Sequence, residues 1–444
     1  RRIHTLIIKK MKKINTYILL AFLLCTSVNI AQQTPAPKQT NERAIAIVGA
    51  TAHIGNGEVI TNSIIVFKNG KIETVGDSRV IKMDFTNIDV INAEGKHVYP
   101  GFIATNSSLG LVEIEAVRAT NDQDEVGAMI PHVRSLIAYN SESKVIESMR
   151  PNGILMAQIS PKGGRISGTS SIVQLDAWNW EDAVIKENDG VHLNWPASFT
   201  RMRRSSDEPR GLKPNKDYTK QIDNIQSFVN ESKAYLSGDK SVINLPYEAM
   251  KDLYNGSRKL YVHVNNVKGI TDAVEFSIKN DIKSLVIIGG SEAYKITDFL
   301  KQHNIPVLLN NPHSLPSNDD QDYDLPFKTA KILTDGGIVV GIQGGNTSTF
   351  NARNLPFYAG TCAAYGLDKE EALKLITSNT AKILGINDTC GTLENGKDAT
   401  LFISEGDALD MRTNKLTRAF IQGRDISLET HQTKLNKRYS EKYK

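Results

Sequence analysis

Between residues 153 and 342 short apolar runs alternate with stretches of helical periodicity, and this alternation restricts the chain more than any other feature. Gly153–Ile159, Leu260–Val264, Ser284–Ile288, Pro306–Leu309 and Gly337–Ile342 each read as a buried strand. Ile270–Lys279, Glu292–His303 and Phe327–Thr334 carry apolar residues at near-helical spacing between them. Strand and helix in alternation predict a parallel sheet closed into a barrel with helices outside. From Lys144 to Asn255 the order is less regular, and we expect an excursion from the barrel there. It holds the Gly-rich stretch Pro161-Lys162-Gly163-Gly164-Arg165-Ile166-Ser167-Gly168 and the basic run Arg201-Met202-Arg203-Arg204. The former lacks the lysine-threonine ending of a nucleotide phosphate loop and is read as bringing backbone N–H groups towards the barrel mouth. The latter reads as a solvated loop.

Both ends of this region are β-rich. Ala44–Val48, Ser63–Phe67, Ile72–Val75 and Ile88–Ile91 are short strand candidates separated by Gly55-Asn56-Gly57 and Asn69-Gly70-Lys71, a hairpin pattern. Ala399–Ser404 and Leu416–Ile421 repeat the pattern at the far end, before the turn Gln422-Gly423-Arg424. The expected architecture is α/β: a TIM-like (β/α)8 barrel over 100–388, and a small composite β-sandwich built from 44–99 and 389–428, with a C-terminal tail at 429–444.

Before residue 44 the chain reads differently. Lys12 and Lys13 precede an apolar run from Tyr17 to Val28, 12 residues long and short of the roughly 20 a membrane helix needs. A secretory signal peptide ending near Ala31 is expected, followed by a linker over 32–43, with Met11 as the initiator and export to the periplasm. Removing residues 1–31 takes away six basic side chains and no acidic ones, lowering the formal charge from +4 to −2. The basic balance of the full sequence therefore gives no reason to expect nucleic acid as a partner. Cys362 and Cys390 remain, read as two buried thiols with pairing left open.

Three motifs in order carry a resemblance. Gly95-Lys96-His97-Val98-Tyr99-Pro100-Gly101-Phe102-Ile103 leads into the first barrel strand. Ile376-Thr377-Ser378-Asn379-Thr380-Ala381-Lys382-Ile383-Leu384-Gly385 looks like a closing helix, and Gly391-Thr392-Leu393-Glu394-Asn395-Gly396-Lys397-Asp398-Ala399 like a return to the sheet. Together they resemble the amidohydrolase superfamily, nearest to its imidazolonepropionase-like and prolidase-like members in an exported bacterial branch. That resemblance implies hydrolysis of carbon–nitrogen bonds by water activated on a divalent metal, zinc or another. It also implies two metal-binding histidines on the first strand, one each on the fifth and sixth, and an aspartate after the eighth.

The sequence departs from that pattern at most of these positions. Ala104, Asn106 and Ser108 stand in the first-strand motif, where period-2 alternation puts 106 and 108 on one inward face. His263 alone fits a ligand position; Gly290 falls where the sixth-strand histidine is expected, and Gly345 and Asn346 where the aspartate is. Amide and hydroxyl groups are poor zinc ligands, and glycine and asparagine are not bases.

The pocket residues expected from the motif positions are Asn106, Ser108, His263, Asn265, Gly290, His313, Gly345, Asn346 and Thr347, with Glu113 or Glu115 near the mouth. His53, His97, His132 and His192 show no spacing that suggests a shared site. His313 followed by Asp319, Asp320, Asp322 and Asp324 reads as a polar lid whose aspartates cap the next helix. Three functions follow: a degenerate member without cofactor that keeps a small-molecule or partner site; an active hydrolase with a displaced metal site at His263, His313 and the aspartates; or an inactive subunit paired with a catalytic homologue, in a homo- or hetero-oligomer.

Overall fold

A computed structural model describes residues 43–201, 212–318, 320–344 and 349–443. The expected signal peptide and most of the linker, Met202, Arg203, Arg204, Asp319, Gly345, Asn346 and Thr347 lie outside the described residues.

The N-terminal flank supplies β1 (Ala44–His53), β2 (Val59–Lys68), β3 (Lys71–Asp77), β4 (Ile88–Asn92) and β5 (His97–Pro100). Asn69 and Gly70 are both left-handed, φ 50° and 80°, as a two-residue hairpin between β2 and β3 requires. Next come the barrel strands β6 (Phe102–Ser107), β7 (Ile154–Ile159), β8 (Ile166–Gln174) and β9 (Val184–Asn194). A small hairpin, β10 (Phe199–Arg201) with β11 (Leu212–Pro214), precedes β12 (Lys259–Val264), β13 (Leu285–Gly289), β14 (Val307–Leu309) and β15 (Val340–Ile342). The C-terminal flank adds β16 (Leu401–Ser404), β17 (Leu416–Ile421) and β18 (Arg424–Ile426).

Both flanks share one sheet, ordered β18-β17-β16-β5-β1-β2-β3. One edge of β1 is divided: Ala44 to Val48 pairs with β4, and Thr51 and Ala52 with β5. The change of partner falls at Gly49, φ 83°, where the register also shifts, so the sheet folds over a core of Ile45, Ile47, Ile65, Phe67, Leu401, Ile403 and Phe420.

The second sheet runs β15-β14-β13-β12-β9-β8-β7-β6, and a parallel bridge between Thr105 and Gln343 joins its two ends into a barrel. The expected excursion over 144–255 is not one: this stretch contributes β7, β8 and β9 to the wall. The strands β7–β8 and β8–β9 are antiparallel, so the barrel has one reversed strand, with β9 again parallel to β12. The strand β8, Ile166-Ser-Gly-Thr-Ser-Ser-Ile-Val-Gln174, has loop-like composition yet is buried throughout. Its hydroxyls find acceptors in the neighbouring strand, Ser170 on Gly190 O (3.2 Å) and Ser171 on Glu187 O, which removes the cost of burying them.

Helices alternate with the later strands. The helix α1 (Tyr218–Ser237) follows β11; α2 (Val267–Lys279), α3 (Thr297–Gln302) and α4 (Leu325–Asp335) follow β12, β13 and β14. Asn266 caps α2 by accepting from Gly269 N (2.7 Å), and Ile270, Ala273 and Val274 form its buried stripe. After β15 come α5 (Leu355–Ala364), α6 (Lys369–Lys374) and α7 (Ser378–Leu384). The lower barrel is filled by Ile103, Met156, Ile172, Tyr261, Val286, Ile288 and Leu308, which cluster with Ala381, Ile383 and Leu384 of α7. Cys362 and Cys390 are buried and unpaired. Among the described residues no helix is long and apolar enough to cross a membrane.

Candidate functional site

The C-terminal ends of the barrel strands carry carboxamides: Asn106 on β6, Gln158 on β7, Asn194 on β9, Asn265 after β12, Asn310 after β14 and Gln343 after β15. Most are linked. Asn106 Nδ2 donates to Gln343 Oε1 (2.5 Å), Gln343 Nε2 to Asn310 Oδ1 (2.6 Å), and Asn310 Nδ2 to Asn265 Oδ1 (3.2 Å). The Asn106 backbone N–H donates to Gln158 Oε1 (2.9 Å). An amide donates and accepts at once, so such a chain can satisfy itself around a rim without any charge.

Charges touch it at two points, the Asp189 carboxylate at Gln158 (2.7 Å) and an ammonium at Asn106. Lys162 Nζ donates to Asn106 Oδ1 (2.7 Å) and Asn106 O (3.2 Å), and burial pushes its ammonium down to about 8. The lysine arrives on the Gly-rich loop, now seen as the β7–β8 connection. Gly163 and Gly164 are both left-handed, and a Cβ on Gly164 would meet Gly127 O at 2.8 Å, so the loop's shape depends on glycine. The loop therefore delivers a side-chain amine to the mouth rather than the backbone N–H groups expected. Its Arg165 donates to Asn194 O (2.6 Å).

Asn106 is itself left-handed, φ 48°, which ends the alternation of β6. Within β6, Ile103 packs inside the barrel while Phe102 and Ala104 belong to the surrounding core. Residues 106 and 108 consequently do not share a face as regular strand positions. Asn106 meets Lys162, Gln158 and Gln343, whereas Ser108 Oγ bonds Thr349 Oγ1 (2.7 Å).

Below the rim lies a histidine pair that spacing did not reveal. His263 Nε2 and His192 Nδ1 are 2.9 Å apart, 71 positions distant in sequence, and His192 stacks on Tyr261 with ring centroids 4.8 Å apart. The parallel pairing of β9 with β12 sets Tyr261 opposite His192. Burial, and then the Lys162 charge, pushes His263 down to about 3; burial, His263 and Lys162 hold His192 well below the ordinary imidazole range. Both rings are neutral near pH 7. Beneath them Asp189, fully buried, accepts from Tyr261 OH (2.7 Å) and Gln158 Nε2 (2.7 Å) and pairs with Lys186 (3.1 Å).

The remaining candidates scatter. His313 Nε2 bonds Thr361 Oγ1 (2.7 Å) and its ring meets Tyr358 edge-on. Asp324 sits at the start of α4 but makes no side-chain cap; it pairs with Lys328 (2.6 Å). Glu115 Oε1 accepts from Thr349 N (2.9 Å), and Glu113 Oε1 from Asn140 Nδ2 (3.1 Å). The structure also joins two histidines read as isolated: His53 Nε2 lies 3.0 Å from His97 Nδ1, and His53 Nδ1 lies 2.7 Å from Glu370 Oε1.

The mouth does not fit a catalytic divalent metal. Among the described residues no three His, Cys, Asp or Glu side chains stand close enough to hold one, and the undescribed 345–348 are Gly, Asn, Thr and Ser. A ligand side chain in place of Gly289 would be strained, because its φ is 104° and a Cβ there would lie 3.0 Å from Val264 O. A Cβ on Gly290 would lie 2.9 Å from Val307 Cγ1. The Lys162 ammonium on Asn106 would repel a cation bound at that position.

The residues missed from sequence were Gln158, Lys162, His192, Asn310 and Gln343. Asn310 and Gln343 carried a usable signal, a carboxamide immediately after an apolar strand run. The model of the amidohydrolase family matches residues 332–428. The crystal structure of an amidohydrolase from Thermotoga maritima MSB8 superposes with a TM-score of 0.74 at 23% identity, covering 86% of this chain and 99% of that one. Molinate hydrolase gives 0.53 at 13% identity over 87% and 95% of the two chains. A zinc-bound adenosine deaminase from Xanthomonas campestris gives 0.53 at 13% over 89% and 97%. No curated protein matches the sequence. Over residues 332–428 the chain is thus similar to the amidohydrolase family, and its barrel with a flanking β domain is the fold of these solved structures.

Proposed function

We propose that this protein is a binding member of its superfamily, one whose barrel mouth holds a small ligand and does not carry out metal-dependent hydrolysis. The observation that carries this reading is the ammonium of Lys162 seated on Asn106, at a position where the superfamily motif has a metal-binding histidine. A lysine cation and neutral carboxamides provide polarity and hydrogen bonding, but not the ligand set that metal-activated water needs. Near pH 7 His263 is neutral, yet its Nε2 faces His192, so it is not presented as a free base.

Protein purified without chelator and then dialysed against zinc or manganese should hold far less than one metal per chain and leave dipeptide and simple amide substrates intact. Stoichiometric metal, with hydrolysis lost on its removal, would overturn the reading. The N-terminal lysines and apolar run further support export, which N-terminal sequencing of the protein from a periplasmic fraction tests; an intact residue 11–31 segment would count against it.

A further inference from the structure

We propose that Lys162 anchors the carboxylate of a small, singly charged acid at the barrel mouth. This inference rests on the binding reading above and names the ligand class that reading leaves open.

Buried charges in folded proteins are normally compensated, because an unpaired one loses its hydration without return. This chain follows that rule at other buried and partly buried charges. Lys186 sits on Asp189 at 3.1 Å, and Asp176 takes Arg424 at 2.9 Å and Arg150 besides. Lys162 has no ion pair among the described residues; both hydrogen bonds of its ammonium go to one neutral asparagine. An ammonium has three N–H donors, so one is left for a further acceptor. The two histidines close enough to feel its charge are held neutral, and the carboxamides are bonded chiefly to each other. Among the described residues the Lys162 ammonium is thus a cation with no carboxylate paired to it.

A second observation points the same way. His192 is fully buried, its Nδ1 meets His263, and its Nε2 has no partner among the described residues. Charge matching selects the guest. One lysine balances a carboxylate, whereas a doubly charged phosphate would bring a surplus negative charge among amides whose donors are already engaged. The strand ends that Lys162 faces are also where barrels of this kind bind their ligands.

The test uses propionate as the carboxylate probe and propionamide as its neutral isostere, read by ligand-observed NMR on the full chain, with Lys162→Met and Lys162→Arg beside the wild type. Propionate should bind wild type at least about tenfold more tightly than Lys162→Met, Lys162→Arg should retain binding within about threefold, and propionamide should not compete. Propionate binding that is unchanged in Lys162→Met, absent from wild type, or matched by propionamide would overturn the proposal. If Lys162→Met fails to fold, the comparison of propionate with propionamide on wild type decides alone. Metal analysis of the same sample keeps the two readings apart. Stoichiometric metal would overturn the binding reading itself, whereas charge-independent binding in metal-free protein overturns only the role of Lys162.

Discussion

Two pairs of histidines in this molecule stand at almost the same separation, one with a carboxylate bonded to it and one with a lysine charge nearby. His192 and His263 in the barrel have ring centroids 5.2 Å apart; His53 and His97 in the flanking sheet are 5.3 Å apart. Each pair is joined by a nitrogen-to-nitrogen contact of about 3 Å. In the sheet, a carboxylate completes the arrangement, since Glu370 lies 2.7 Å from His53 and ties α6 to β1 and β5. In the barrel the neighbouring charge is Lys162, of the wrong sign to support an imidazolium, and the nearest described carboxylate reaches the pair only through Tyr261. An imidazole pair is therefore not a function in itself. In the barrel, burial and the Lys162 charge keep both rings neutral near pH 7.

The largest effect should come from removing the support under the barrel pair. Asp189→Ala leaves the Tyr261 hydroxyl, the Gln158 amide and the Lys186 ammonium without their shared acceptor, and breaking a buried ion pair from one side costs about 3–5 kcal/mol. Chemical denaturation at pH 7 measures it. A loss under about 1 kcal/mol would mean that Asp189 does not carry the barrel pair.

The next effect is a pH dependence. His263 has a folded value near 3 against an ordinary unfolded value of about 6.5, so between those limits the unfolded chain binds a proton that the folded chain refuses. Stability then falls as pH is lowered through this window and is flat above it with respect to this group. Acidification from pH 6.5 to 4.5 should cost about 2 kcal/mol through His263, with His192 adding to the slope in the same direction. His263→Asn should flatten part of this slope. An identical slope in that variant would assign the acid sensitivity to other groups.

What the sequence disclosed follows how local each feature is. The hairpin at Asn69-Gly70 and the helix behind Asn266 are written in neighbouring residues, because left-handed turns and caps are made by side chains within a few positions. The alternation from β12 to β15 was legible for the same reason. The strand β8 was not, since its serines are tolerated only through acceptors on β9 that local sequence cannot show. His192 and His263 meet through register between two strands, and register is a tertiary fact. Lys162 was visible as a residue but not as part of the site. Its reach depends on two left-handed glycines and on Asn106 leaving the strand conformation, which the expected inward pairing of 106 with 108 did not allow for.

The smallest effect belongs to the flanking sheet. In Glu370→Gln the amide oxygen can still accept from His53, so the substitution removes the charge on the acceptor while keeping the bond; the expected loss is about 1 kcal/mol. The acid slope set by His263 and His192 should persist unchanged in this variant, because Glu370 is bonded to the other pair. A urea titration of Glu370→Gln at pH 7 and again at pH 5 separates the two regions. If Glu370→Gln reduced the slope as much as His263→Asn, the two histidine pairs would be coupled across the sheet and barrel, and the acid slope could no longer be assigned to the barrel pair alone.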